Sequence, residues 1–152
     1  MRVWTANVAF LALMMAPAAM VLQQRAEFTA VALAVALQDK GTVSVHQILF
    51  DTGTATIKPE SAPTLASIGE LLQSDAMLKV EIQGHTDNVG TPAVNLRLSR
   101  DRAAAVKTYL VQNLGIAADR LTTSGFGDTK PVATNATQDG RAQNVRIELL
   151  KK

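Results

Sequence analysis

Apolar and polar residues alternate along "LKVEIQG": Leu78, Val80 and Ile82 fall on one side, Lys79, Glu81 and Gln83 on the other. That two-residue period is what a strand with one covered face requires, and Gly84 ends it. The stretch "TVSVHQILF", residues 42–50, sets Val43 and Val45 among polar neighbours before closing in an apolar run, and predicts an earlier strand. From Lys58-Pro59 the period lengthens. In "SAPTLASIGELLQ", Leu65, Ile68, Leu71 and Leu72 recur at helical intervals behind Ser61 and Pro63. A second helix is expected from Thr91 as its cap and Pro92 as its first residue, with Leu98, Val106 and Leu110 among its apolar positions, until Gly115 stops it. "RLTTSGF" and "NVRIELL" predict two more strands, separated by a loop rich in Gly, Asn and Thr.

The order strand, helix, strand, helix, strand, loop, strand favours parallel or mixed pairing, because helical crossovers link parallel neighbours and pack on one face. The expected fold is therefore an α/β (α+β) two-layer sandwich, a mixed sheet with its helices on one face, preceded by an N-terminal apolar helix. A chain of 152 residues suits one such domain plus a short appendage. The expected divisions are an export or membrane segment over 1–22, a helical linker or stub over 23–41, and the main domain over 42–152. Asp39-Lys40-Gly41 punctuates the second boundary.

Residues 3–22 carry no charge, follow Met1-Arg2 and precede Gln23-Gln24-Arg25. With the small residues Ala16-Pro17-Ala18-Ala19 near the end, the segment fits a secretory signal cleaved near Ala18 or Ala19. Its length of about twenty residues is also just long enough for a retained membrane anchor, the second reading, with a buried helix the third. Cleaved or retained, an export segment places the rest of the chain outside the cytoplasm. Residues 26–38, "AEFTAVALAVALQ", fit either a helix against the core or a packing stub.

Net charge changes the picture little. The 15 Lys and Arg exceed the 13 Asp and Glu only because Arg2 and Arg25 precede the first acid, Glu27. A balanced surface without basic runs or interleaved aromatics gives no footprint for nucleic acid. The absence of cysteine excludes a disulfide frame, a thiolate metal site, a thiol nucleophile and the lipid-modified cysteine of a lipoprotein.

Several stretches invite chemistry. Asp51-Thr52-Gly53 in "ILFDTGTATI" shares its letters with the catalytic loop of aspartic proteases, which needs two such loops, hence a dimer sharing a proton between two copies of Asp51, in a mostly β body. Helical stretches and the entry "IKPE" speak against it, and Asp51 is expected instead to cap the following turn with its carboxylate, Gly53 allowing the bend. His85 and Asp87 in "HTD" lack a third ligand, His46 being the only other histidine, so no metal is expected. No serine stands in a hydrolase turn.

The polar cluster "GHTDNVGTPAVNLRLSRDRAA" is richer. Asn95, Ser99 and Arg102, at i, i+4 and i+7, lie within roughly 60° of arc on one helix stripe, facing the turn that carries Asp87. One Asp with one Arg complements an amino-acid zwitterion: the carboxylate accepts from an ammonium, and the guanidinium fork holds a carboxylate. The plainer alternative is that Asp87 and Arg102 pair with each other.

Taken together, "ILFDTGTATIKPES", "GHTDNVG", "NLRLSRDRA", "GFGDTKPVATN" and "GRAQNVRIEL" resemble the OmpA-like C-terminal domain across about residues 43–150. The resemblance implies a non-catalytic periplasmic module of a Gram-negative cell envelope that binds peptidoglycan through meso-diaminopimelate, without cofactor. It also implies that Asp87 and Arg102 are the main contacts, that Thr86, Asn88 and Asn95 shape the pocket, and that Arg141 and Asn144 border it. Three departures stand out: Val145 where many members carry arginine, no β-barrel or lipid-bearing cysteine, and no ionisable residue in 3–22 such as flagellar stators carry. A degenerate scaffold that has lost wall binding is the alternative in the same fold.

Overall fold

The computed structural model describes residues 30–152. The export or membrane segment expected over 1–22 lies outside the described residues, as do 23–29. Among the described residues no helix is long and apolar enough to cross a membrane.

Residues 30–40 are helical (α1), and Leu33 and Leu37 enter the core at 5% and 3% exposure, four residues apart on one face. Gly41, at φ +72, ends the helix with its N–H on Leu37 O. β1 follows at Thr42–Val45, and a 3₁₀ turn at Pro59–Ser61 leads into α2, Ala62–Ser74. Then come β2 at Val80–His85, α3 at Pro92–Leu114, a 3₁₀ turn at Ala118–Arg120 and β3 at Leu121–Gly125. α4, Gln138–Asn144, and β4, Arg146–Lys151, complete the chain. The sheet runs β1-β4-β2-β3: β2 and β3 are parallel across the α3 crossover, while β4 pairs antiparallel with both β1 and β2. This is the expected mixed sheet.

Periodicity built the core as expected. Leu65, Ile68 and Leu72 of α2 and Ala103, Val106 and Leu110 of α3 are fully buried, against Val80 and Ile82 of β2 and Ile147 and Leu149 of β4. The opposite sheet face stays polar, with Ser44, Glu81, Gln83 and Glu148 at least partly exposed. Thr91 caps α3 by accepting from Val94 N at 3.2 Å, and Gly115, at φ +67, closes it.

Three local expectations need correction. The first strand ends at Val45 instead of running to Phe50, because its partner β4 begins only at Arg146, just after α4. There His46 Nε2 donates to Gln143 O at 3.1 Å, and Leu49 is held off the sheet by Ser61 Oγ, which accepts from Leu49 N and donates to Leu49 O. The Gly/Asn/Thr-rich loop contains the short helix α4, capped by Thr137 accepting from Gly140 N at 3.0 Å. Leu98, read as a core position, is half-buried.

Candidate functional site

Strand β2 ends at His85, and the chain turns through 86–91 before entering α3. Gly84 of β2 and its register partner Gly125 of β3 both abut α3: a Cβ on Gly84 would stand 2.1 Å from Ser99 O, and one on Gly125 2.4 Å from Arg100 N. Glycine is required at this crossing, and it draws the Asn95, Ser99, Arg102 stripe down onto the strand ends. The three residues are 4%, 0% and 9% exposed. Ser99 is used structurally, donating to Leu96 O and accepting from Gly127 N at 2.9 Å.

The turn is organised around Asp87. Thr86 N donates to Gly127 O, Thr86 Oγ1 and Asn95 Nδ2 donate to Asp87 O, and Asp87 Oδ1 accepts from Val89 N at 3.0 Å. This last bond is an Asx-type turn that fixes the carboxylate. Gly90, at φ +92, returns the chain to Thr91.

Arg102 approaches from α3. Its Nε donates to Thr54 O at 2.9 Å, and its guanidinium lies 4.8 Å from the centre of the Phe50 ring. Burial lowers the guanidinium pKa and Asp87 raises it, which places the two groups within each other's field. They do not pair: the ion pairs among the described residues are Arg146 with Glu148 and Lys152 with Glu81.

Asp87 and Arg102 instead line one cavity of about 730 Å³, together with Thr86, Asn95, Thr52 and His46. That volume suits a small ligand or one end of a larger one. Ile48, Leu49, Phe50, Val89, Val94, Leu98, Ala142 and Val145 supply its apolar wall. Sequence reasoning missed this wall and the loop 50–57, whose strand-like bridge between Phe50 and Ile57 makes the Arg102 clamp. The only signal for it was the apolar run ending at Phe50.

Asn88 is exposed on the turn and outside the lining. Arg141 and Asn144 also lie outside it. Arg141 Nη1 donates to Asn135 O. Asn144, fully buried, accepts from Val132 N and Ala133 N and donates to Ala133 O and Asn135 Oδ1, clamping the 131–136 loop.

Asp51 is exposed, and its turn is held by backbone: Asp51 O accepts from Thr54 N at 3.1 Å and from Thr54 Oγ1, and Asp51 N donates to Thr56 O. The cap expected of its carboxylate is thus made by its carbonyl. A protease loop would need a mostly β body, and the chain folds as α/β. Gly53, at φ +71, permits the bend as expected.

His85 sits behind the site on the polar sheet face, stacked on Phe126 at 5.3 Å, with Nε2 2.7 Å from Glu148 Oε2. Its two ring nitrogens are shut off from solvent without a well-aligned hydrogen bond. Burial, then the adjacent Arg146, push its pKa down to about 4 against the pull of Glu148. Among the described residues no group of three His, Asp or Glu stands together as metal ligands would.

The sequence and the fold are similar to those of known proteins. Residues 49–145 match the model of the OmpA family. The chain is 41% identical over 101 residues to the outer membrane protein Omp38 of Acinetobacter baumannii, covering 66% of this chain and 28% of that protein. It is 38% identical over 103 residues to the peptidoglycan-binding protein ArfA of Mycobacterium bovis, 68% of this chain and 31% of that one. The peptidoglycan-associated lipoprotein of Burkholderia pseudomallei superposes with a TM-score of 0.64 at 29% identity, covering 76% of this chain and 98% of that structure. The chain spans about half or less of the length of curated relatives such as these, 13% of one and 51% of another. With the family's match running from Leu49 to Val145, through the Asp87 turn and the Arg102 helix, the chain belongs to the OmpA family.

Proposed function

We propose that the chain is a non-catalytic module that binds peptidoglycan, holding the zwitterionic end of diaminopimelate in the peptide stem between Asp87 and Arg102. One observation carries the reading: Asp87 and Arg102 line the same cavity without pairing with each other. Among the described residues the Arg102 Nη groups and Asp87 Oδ2 have no hydrogen-bond partner, so each keeps capacity for a ligand. An ammonium answers Asp87, and a carboxylate answers the Arg102 fork. A buried guanidinium gains from such a partner more than an exposed one would. Thr86 and Asn95 hold the turn, Asn88 continues it, and Arg141 and Asn144 act at one remove by fixing the loop beside α4.

The names of the relatives support the partner and an envelope location. In this reading the module works in the periplasm of a Gram-negative cell, and residues 3–22 export it, either as a cleaved signal or as a retained anchor that ties a membrane to the wall. Mass determination of the exported protein's N-terminus separates these two.

The site is tested by pull-down with insoluble peptidoglycan, competed with free meso-diaminopimelate. Asp87→Ala and Arg102→Ala are expected to abolish binding while circular dichroism stays unchanged. Undiminished binding by both folded variants would sink the site assignment, and absence of binding by the wild type would return the chain to a scaffold reading.

A further inference from the structure

Seven large apolar side chains are prominently exposed among the described residues, and three of them, Leu49 at 44%, Val89 at 63% and Val94 at 51%, stand around the one cavity that holds Asp87 and Arg102. A single exposed valine needs no explanation, but several grouped about a polar centre mark apolar contact with a ligand. Half-buried Phe50 and Val145 and exposed Ala142 continue the same surface. Asp87 and Arg102 are the cavity's formal charges, one of each sign, and its histidine, His46, is tied through Nε2 to Gln143 O.

This balance constrains the ligand beyond its zwitterionic end. One ammonium and one carboxylate use up Asp87 and Arg102. The other end of a diaminopimelate residue carries a second carboxyl group, which in a peptide stem is either free or condensed with the amine of a following alanine. Free, it is an anion facing aliphatic side chains with no cation left to meet it, and its desolvation is uncompensated. Condensed, it is a neutral amide with a methyl group that covers exposed apolar surface, and the anion moves one residue outward, to the alanine's own carboxylate, past the exposed rim of Val89 and Val94.

On the reading that the site takes the zwitterionic end of the diamino acid, we infer that the apolar wall around Val89, Val94 and Val145 selects stems in which the second carboxyl is in amide linkage to alanine over stems in which it is free. Tetrapeptide stems are the preferred ligand, and tripeptide stems the weaker one.

Calorimetric titration of the full chain with soluble, uncrosslinked disaccharide-tripeptide and disaccharide-tetrapeptide containing meso-diaminopimelate tests this. The tetrapeptide should bind about five- to tenfold more tightly, about fourfold of it from one covered methyl group and the rest from moving the carboxylate outward toward water. Val145→Arg should bring the ratio to about one or below by strengthening tripeptide binding, since it supplies the missing cation. Val89→Ser, at an exposed position that leaves the fold untouched, should weaken the tetrapeptide and, by offering the free carboxylate a hydroxyl donor, hold or strengthen the tripeptide, so that the ratio falls toward one. Equal binding of the two stems by the wild type, or an unchanged ratio in both variants, overturns the inference while leaving the site in place. Failure of the wild type to bind either stem overturns the site itself, and the inference with it.

Discussion

Replacing Gly84 with alanine tests how α3, and with it Arg102, is held. An alanine Cβ there would meet three backbone atoms of Ser99: the oxygen at 2.1 Å, the carbonyl carbon at 2.8 Å and Cα at 3.1 Å. No rotamer relieves a clash with backbone. To bring the closest approach even to 3.0 Å the helix would have to retreat by about 0.9 Å. Nor can it shift sideways over the neighbouring strand, where the Gly125 Cβ position lies 2.4 Å from Arg100 N and 2.6 Å from Ser99 Oγ. Retreat would also stretch the 2.9 Å bond from Gly127 N to Ser99 Oγ and loosen Ala103, Val106 and Leu110, all fully buried. Overpacking against a rigid neighbour puts the cost at about 3 kcal/mol. For a domain of this size that lowers the melting temperature by roughly 10 °C. Gly115→Ala is the matched control: Gly115 has φ +67 but nothing within 4 Å of its Cβ position. Only left-handed strain remains there, about 1 kcal/mol. Thermal and urea unfolding followed by circular dichroism gives both numbers. A Gly84→Ala protein within about 0.5 kcal/mol of wild type, or less destabilised than Gly115→Ala, would refute the close-approach account.

Asn144→Ala should cost about 2–3 kcal/mol in urea unfolding, because Val132 N and Ala133 N would lose the Oδ1 that accepts from them at 2.7 and 3.0 Å. Asn144→Asp, which keeps those acceptors but buries a carboxylate against Ala133 O and Asn135 Oδ1, should cost at least as much as the alanine variant. Stability should also drop on acidification through His85. Its folded pKa of about 4 lies below the ordinary imidazole value, so between roughly pH 6.5 and 4 the unfolded chain takes up a proton that the native one refuses. Stability therefore falls with pH across that window by an amount on the order of 3 kcal/mol. His85→Gln should flatten this part of the profile, and an unaltered slope would place the effect in other groups.

Much of the architecture was legible because it rests on neighbours in sequence. Leu65, Ile68 and Leu72 share a helix face by virtue of 3.6 residues per turn, whatever they pack against, and Val80 and Ile82 share a strand face for the equivalent reason. The Thr91 cap and the left-handed Gly115 are likewise local, and so is the buried stripe of Asn95, Ser99 and Arg102. α4 escaped notice because seven residues that include Asp139, Gly140 and Asn144 are too few to show a period and look like loop.

What the sequence by itself determined is therefore the set of elements other than α4, the faces they bury, and the pairing of an aspartate turn with an arginine stripe. The tertiary structure decided the rest, since it depends on which distant segments close on each other. It inserted β4 between β1 and β2. It brought Thr54 and Phe50 onto Arg102, the Thr54 contact joining residues 48 apart in sequence. It turned Asn144 inward to its loop and left Val145 on the cavity wall. Asp87 and Arg102 stand apart on one cavity because Nε is tied to Thr54 O and Oδ1 to Val89 N. Spacing along a helix fixes direction, but only the packing of loop 50–57 against α3 sets where a guanidinium comes to rest.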